Sequence, residues 1–190
     1  MWHPEVDNSE VKVYSRPEKG TELVVIRAIA IVDDAEPDPL FTFFTSKAGF
    51  KVIDPACTNH DDPPFREWSE REEVAYSRAP MQPPVRPRTF LVANIVDPAE
   101  RLFVSKSILD DALPPGDDGA VRAVNSFVLR TGAAPGGGSS LEILDYVDLR
   151  GDDCPVQASN TWHVHSFVPE MLQRLRAEIA AGALDAGRML

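Results

Sequence analysis

The sequence predicts an α+β protein in which an antiparallel sheet is covered by one long C-terminal helix. Three observations point there. Short β-branched or alternating segments recur between residues 65 and 149, with turn residues separating them. A pair of similar segments, between residues 11 and 32, reads as a hairpin ahead of them. The chain then ends in helical spacing, and no other segment is long enough to cover the apolar face that an antiparallel sheet must bury.

Val11 to Arg16 (VKVYSR) alternates apolar and polar residues, RPEKG is turn chemistry, and Thr21 to Val32 (TELVVIRAIAIV) is a β-branched run. Leu40, Phe43 and Phe44 lie at helical spacing, with proline near the start and Gly49 as a stop signal. FKVIDP then reads as a turn, and Asp54 to Pro64 as a loop rich in Asp, His and Pro. Strands follow at Phe65–Glu70, Glu73–Arg78, Arg88–Val96, Arg101–Ile108, Val121–Arg130 and Leu141–Leu149, separated by DPAE, PPGDDG and GAAPGGGSS among other links. This spacing predicts an antiparallel meander. Val164, Phe167, Val168, Met171, Leu172, Leu175 and Ile179 then mark an amphipathic helix of about seven turns if it begins near Pro155, bent at Pro169.

The bulk numbers bound the function. A chain of 190 residues is expected to form a single domain over residues 1–190, large enough to bury about 70% of its unfolded surface. A net charge of −11 argues against general nucleic-acid binding, which needs a basic face to neutralise phosphates. The longest apolar run, Leu23 to Val32, is interrupted by Arg27 and falls short of the ~20 residues that span a bilayer. The N-terminal MWHPEVDNSE lacks an apolar core, so no secretory signal is expected, and two cysteines make no disulfide framework. The expectation is a soluble cytoplasmic protein.

Few residues suggest chemistry. His163 and His165, with His60, Asp61 and Asp62 as remote partners, invite a metal reading, but i and i+2 on a helix point about 200° apart. Ordinary histidines and no metal are expected. Cys57 near His60 hints at a nucleophile and base, yet a lone loop cysteine is usually only that. PGGGSS lacks the lysine and following helix of a phosphate loop. No catalytic residue and no cofactor are expected. Asp145 shares a strand face with Leu141, Ile143, Val147 and Leu149, and a buried carboxylate is costly unless paired. By the same parity Asn94 and Asn125 point inward, so either the three form a polar grip on a ligand or Asp145 lies near the sheet edge or mouth and is solvated.

Six segments, VKVYSR, FKVIDP, PVRPRTFLV, FVSKSI, VRA (Val121–Ala123) and VPEMLQRLR, stand in an order and spacing that resembles the START (StAR-related lipid-transfer) domain family over residues 11–180. PVRPRTFLV is the most specific of them. In FKVIDP, Ile53 stands where the family has tryptophan. Two departures accompany the match. Only ten residues precede the first expected strand, so the family's N-terminal helix is missing or shortened. Asn94 stands where some sterol-binding members carry an arginine paired with a buried carboxylate, so that grip on a sterol hydroxyl is not implied.

The resemblance implies the helix-grip fold, a curved antiparallel β-sheet wrapped around a long C-terminal α-helix. Between them lies a cavity for one lipid: a phospholipid, a sterol or another hydrophobic ligand. It implies transfer or sensing without catalysis, and transient contact with a membrane surface. Strand alternation then puts Phe90, Val92, Phe103, Phe127 and Ile143 at the ligand, and the helix face adds Val164, Phe167 and Met171. Asn94, Asn125 and Asp145 are the polar candidates. The proline-rich loop from Arg78 to Arg88 resembles the family's Ω loop at the cavity mouth, its prolines limiting the entropy cost of order. Met81 at its tip suits apolar surface, and Arg78, Arg86 and Arg88 would meet anionic headgroups unless neighbouring acids pair with them. Because relatives of this fold include cyclases and dehydratases, an enzyme using Asp145 with a histidine is one alternative. A module with a closed cavity is the other.

Overall fold

In the computed structural model, which describes residues 1–55, 66–109, 119–182 and 184, ten strands form one sheet with helices packed against one face. The elements run β1 His3–Asp7, β2 Val11–Pro17, β3 Val24–Val32, α1 Pro37–Phe44, α2 Lys47–Ile53, β4 Arg66–Ser69, β5 Glu72–Ala79, β6 Arg88–Asp97 and β7 Leu102–Ser107. They continue with β8 Val121–Arg122, β9 Val124–Ala133, β10 Ser139–Asp148, α3 Val156–Trp162, a π-helical turn His163–Phe167 and α4 Val168–Ala180. The sheet order is β1-β2-β3-β10-β9-β7-β6-β5-β4, antiparallel throughout except that β8 pairs in parallel with β6. The expected hairpin and meander are thus both present, and β10 joins them by pairing with β3.

Four local readings need correction. A strand, β1, precedes the first expected one. Its sequence HPEVD has no apolar alternation because it is a mostly exposed edge strand, tied to β2 in part by a hydrogen bond from Ser15 Oγ to Glu5. Phe50 to Ile53 is helix rather than turn, since Ser46 caps α2 by accepting from the Gly49 N–H at 3.1 Å. Gly49 is therefore no stop signal. A Cβ there would lie 2.0 Å from the Phe43 carbonyl oxygen, so glycine is what lets α2 close against α1. The expected strand Val121–Arg130 is two, because the chain turns from β6 to β7's edge at Ala123.

The C-terminal helix carries the predicted stripe but not as one α-helix. Pro169 lacks the N–H that its i−4 partner needs, and its ring crowds that carbonyl. The chain meets this with the wider π turn immediately before α4. Val164, Phe167, Val168, Met171, Leu172 and Leu175 are buried there against Val13, Ile26, Phe127, Leu129 and Ile143 of the sheet and against α1 and α2. A second, smaller apolar cluster joins Phe90, Val92, Ala79 and Ala123, with Met81, Val147 and Leu149 packed on it.

Candidate functional site

The sheet register explains which side chains meet. On an antiparallel ladder, directly paired residues share a face. The pairs Ile26↔Asp145, Asp145↔Phe127, Phe127↔Ser105, Ser105↔Asn94 and Asn94↔Glu73 make one row across five strands beyond β3. The next row holds Val147, Asn125, with Val92 paired to Ser107. These residues face the helices, so the polar ones sit between the two apolar clusters.

Asp145 is not solvated at an edge. It is buried, and one of its oxygens is hydrogen-bonded to Nε2 of His163, which is equally buried on the π turn. The His163 ring also packs edge-on to Phe167, with centroids 5.4 Å apart. His165 is exposed, so the two histidines do not share an ion. Among the described residues no group of three His, Cys, Asp or Glu comes together to hold a metal. Cys57, His60, Asp61 and Asp62 lie outside the described residues. Asn94 is buried and donates through Nδ2 to Glu73 Oε1 at 2.9 Å. A carboxylate accepts only, so this contact fixes the amide with its NH2 toward Glu73 and its carbonyl away.

At the Glu73 end of this row a cavity of about 660 Å³ opens between α2 and the sheet. Phe50, Val96 and Phe103 form its apolar wall, and Trp68, Glu67, Glu70, Arg71, Glu72 and Glu73 line the β4–β5 side. Of the residues expected at the ligand, Phe103 alone is among the described lining residues. Phe127, Ile143, Val164, Phe167 and Met171 belong to the main core, and Phe90 and Val92 to the smaller cluster. Glu73 escaped the sequence reading, and His163 reads there only as an ordinary histidine. The signal for a partner of His163 type was Asp145 itself, a carboxylate on an apolar face.

The expected gate loop needs its largest correction. Arg88 is fully buried and cannot face a membrane. Its Nε donates to the Leu149 carbonyl at 2.6 Å, its Nη2 to the Arg150 carbonyl at 2.9 Å, and Nη2 also pairs with Asp153 Oδ1 at 2.8 Å. Arg86 pairs with Asp152 and Asp153. The hydrogen bond from Arg88, with help from the Arg86 backbone, holds the Asp153 carboxyl well below the usual carboxylate range. Gly151 makes room for this lock, since a Cβ there would lie 2.6 Å from Asp153 Oδ1 and 3.3 Å from both guanidinium groups. The end of the 78–88 loop is thereby tied to the segment between β10 and α3. Of its three arginines, Arg88 is spent inward, Arg86 is exposed but ion-paired, and Arg78 is half-buried and partnered. Met81 packs on the Phe90–Val92 cluster.

No family model matches this chain, and no curated protein matches it. Solved structures do. The chain is similar to human StAR-related lipid transfer protein 5, with a TM-score of 0.76 at 17% identity over 96% of this chain and 88% of that one. It is also similar to the human StarD13 lipid transfer and protein localization domain, with a TM-score of 0.72 at 16% identity over 93% and 88%. The STAR-related lipid transfer protein of Xanthomonas axonopodis gives 0.70 at 18% identity over 94% and 98%. The class of protein is therefore one with the START helix-grip fold, as the sequence resemblance implies. Among the described residues no helix is long and apolar enough to cross a membrane.

Proposed function

We propose that residues 1–190 act as one ligand-binding domain that takes a single hydrophobic molecule between the sheet and its helices and shields it for transfer or sensing, without chemistry on it. The observation that carries this is the 660 Å³ cavity walled by Phe50, Val96 and Phe103 on the helix-facing side of a START-like sheet. Cavities of about 300–1,000 Å³ suit one small ligand. The likeness to proteins named for lipid transfer makes a lipid the first candidate. Contact with membranes and a cytoplasmic setting complete the reading, but the charge of Arg86 and Arg88 has no part in it. Native mass spectrometry of the purified protein is expected to show a noncovalent adduct that organic extraction removes. Val96→Trp, which fills the cavity, is expected to reduce both the adduct and the uptake of Nile red. A protein that carries no adduct and does not raise Nile red fluorescence is not a ligand carrier.

One observation favours an enzyme as the second reading: the buried Asp145–His163 pair on the helix-facing side has the composition of a general acid–base couple. Turnover of the extracted ligand that disappears in Asp145→Asn would select it.

A further inference from the structure

The cavity grades from open to closed along one direction. Trp68 and Glu67 on its β4–β5 side are exposed, and Glu73, Val96 and Phe50 are half-buried. Phe103, at 2% exposure, is the one buried residue among the described lining residues. The sheet register explains the gradient. Val96 pairs with Phe103 and Phe103 with Leu129, so the three stand in one row on the helix-facing side of β6, β7 and β9. The row begins in the cavity at Val96 and ends at Leu129, which has no exposure and belongs to the main core. Cavity gives way to core at Phe103.

The Phe103 ring is braced from both sides. Phe50 of α2 meets it edge-on with centroids 5.3 Å apart, and Phe127 of β9 lies tilted beside it at 6.2 Å. Phe127 and Leu129 behind it belong to the main core with Ile143 and Met171. A close-packed core does not take in even one added methylene without strain. A chain that enters from the β4–β5 side therefore runs along Phe50 and Val96 and stops at the Phe103 ring. The same order decides which end of a ligand goes in. The cavity's charged side chains all come from the β4–β5 side, whereas its deepest wall is aromatic. A polar end pressed against Phe103 would lose water and find no partner there.

We propose that Phe103 is the floor of the site and sets the length of the apolar chain that the site accepts. The ligand binds chain-first, with its apolar end against Phe103 and its polar end left at the open side. The proposal rests on the ligand-binding reading above and adds the ligand class, an amphiphile whose apolar chain has a limited length. Each methylene up to that limit gains about fourfold in affinity, and one beyond it stays outside the apolar wall and gains nothing.

Straight-chain alcohols test this: hexanol, octanol, decanol, dodecanol and tetradecanol, each titrated in competition with Nile red. For the wild type, affinity is expected to rise by about fourfold per methylene and then to level off within the series. Phe103→Leu moves the floor back. The first alcohol past the wild-type limit, longer by two methylenes, is expected to gain about tenfold, while shorter ones gain nothing. Trp68→Ala, at the exposed rim, is expected to change all lengths by a common factor and to leave the limit in place. Circular dichroism checks that each variant is folded. If Phe103→Leu is not, Phe103→Met, which nearly keeps the volume but yields to a ligand, carries the same expectation. An affinity that climbs by the same step through the whole series overturns the proposal, and so does a limit that stays put in the folded Phe103 variant. Either result leaves the ligand-binding reading intact. Failure of every alcohol, and of Nile red, removes that reading and this proposal with it.

Discussion

Deleting either member of the Asp145–His163 pair tests whether it joins the sheet to the C-terminal helix. The two side chains are 3% and 4% exposed, so neither finds water when its partner is gone. Asp145→Leu leaves the imidazole facing an aliphatic wall, and His163→Phe leaves a buried carboxylate without its donor. Removing one partner of such a pair costs about 3–5 kcal/mol. Replacing both removes the buried carboxylate together with its donor, and Phe at 163 keeps the edge contact with the Phe167 ring. The double variant is therefore expected to cost far less than the sum of the single ones, roughly 6–10 kcal/mol. At a urea dependence of about 2 kcal/mol/M, each single substitution lowers the unfolding midpoint by about 1.5–2.5 M, and the double one by about 1 M or less. Equilibrium urea unfolding followed by circular dichroism measures all four proteins. Single costs below about 1 kcal/mol, or costs that simply add, would refute the claim that the pair is dry and coupled.

Two further predictions concern the parts that frame the site. Asp153→Asn is expected to lower the melting temperature at neutral pH. A carboxyl whose folded pKa is depressed adds stability above its unfolded pKa of about 3.9 and loses it as pH falls toward the folded value. The gap between wild type and variant should therefore close on acidification. An equal gap at pH 7 and pH 3 would show that the Arg88–Asp153 contact does not set it. Met171→Ala, at a position with no exposure under the sheet, is expected to cost about 2–5 kcal/mol. Arg176→Ala on the outer side of α4, which loses an exposed ion pair with Glu10, should cost less than about 1 kcal/mol. Similar losses for the two would mean that the helix faces are assigned wrongly.

The fold was largely legible because its signals are local. Period-2 alternation in residues 141–149 and the stripe from Val164 to Leu175 each need only neighbouring residues to be read; the stripe, Leu141 and Ile143 are buried, and Val147 and Leu149 partly so. The exceptions are also local in cause. HPEVD carries no alternation because an edge strand buries almost nothing, and Gly49 punctuates nothing because its value lies in the approach of α1, which a helix-stop rule does not contain. Parity also put Asn94, Asn125 and Asp145 on the inner face, since it needs no knowledge of pairing.

Partners are a different kind of information, and here the sequence was silent for identifiable reasons. Glu73 meets Asn94 only because β5 pairs with β6 in that register, and a slip of one residue would send Glu73 to the other face. His163 reads only as an ordinary histidine, because helical spacing does not say that it meets Asp145; in the structure the π turn buries both His163 and Val164. The arginines of the 78–88 loop show the same limit most plainly. Their charge is visible in the sequence, but its direction depends on Asp152 and Asp153, more than sixty residues away and brought close by the corner at Gly151. Those acids pair with Arg86 and Arg88, and four glutamates stand against one arginine, Arg71, among the cavity's described lining residues. The loop's arginines then serve to hold the strand β6 and the segment between β10 and α3 in one fixed relation.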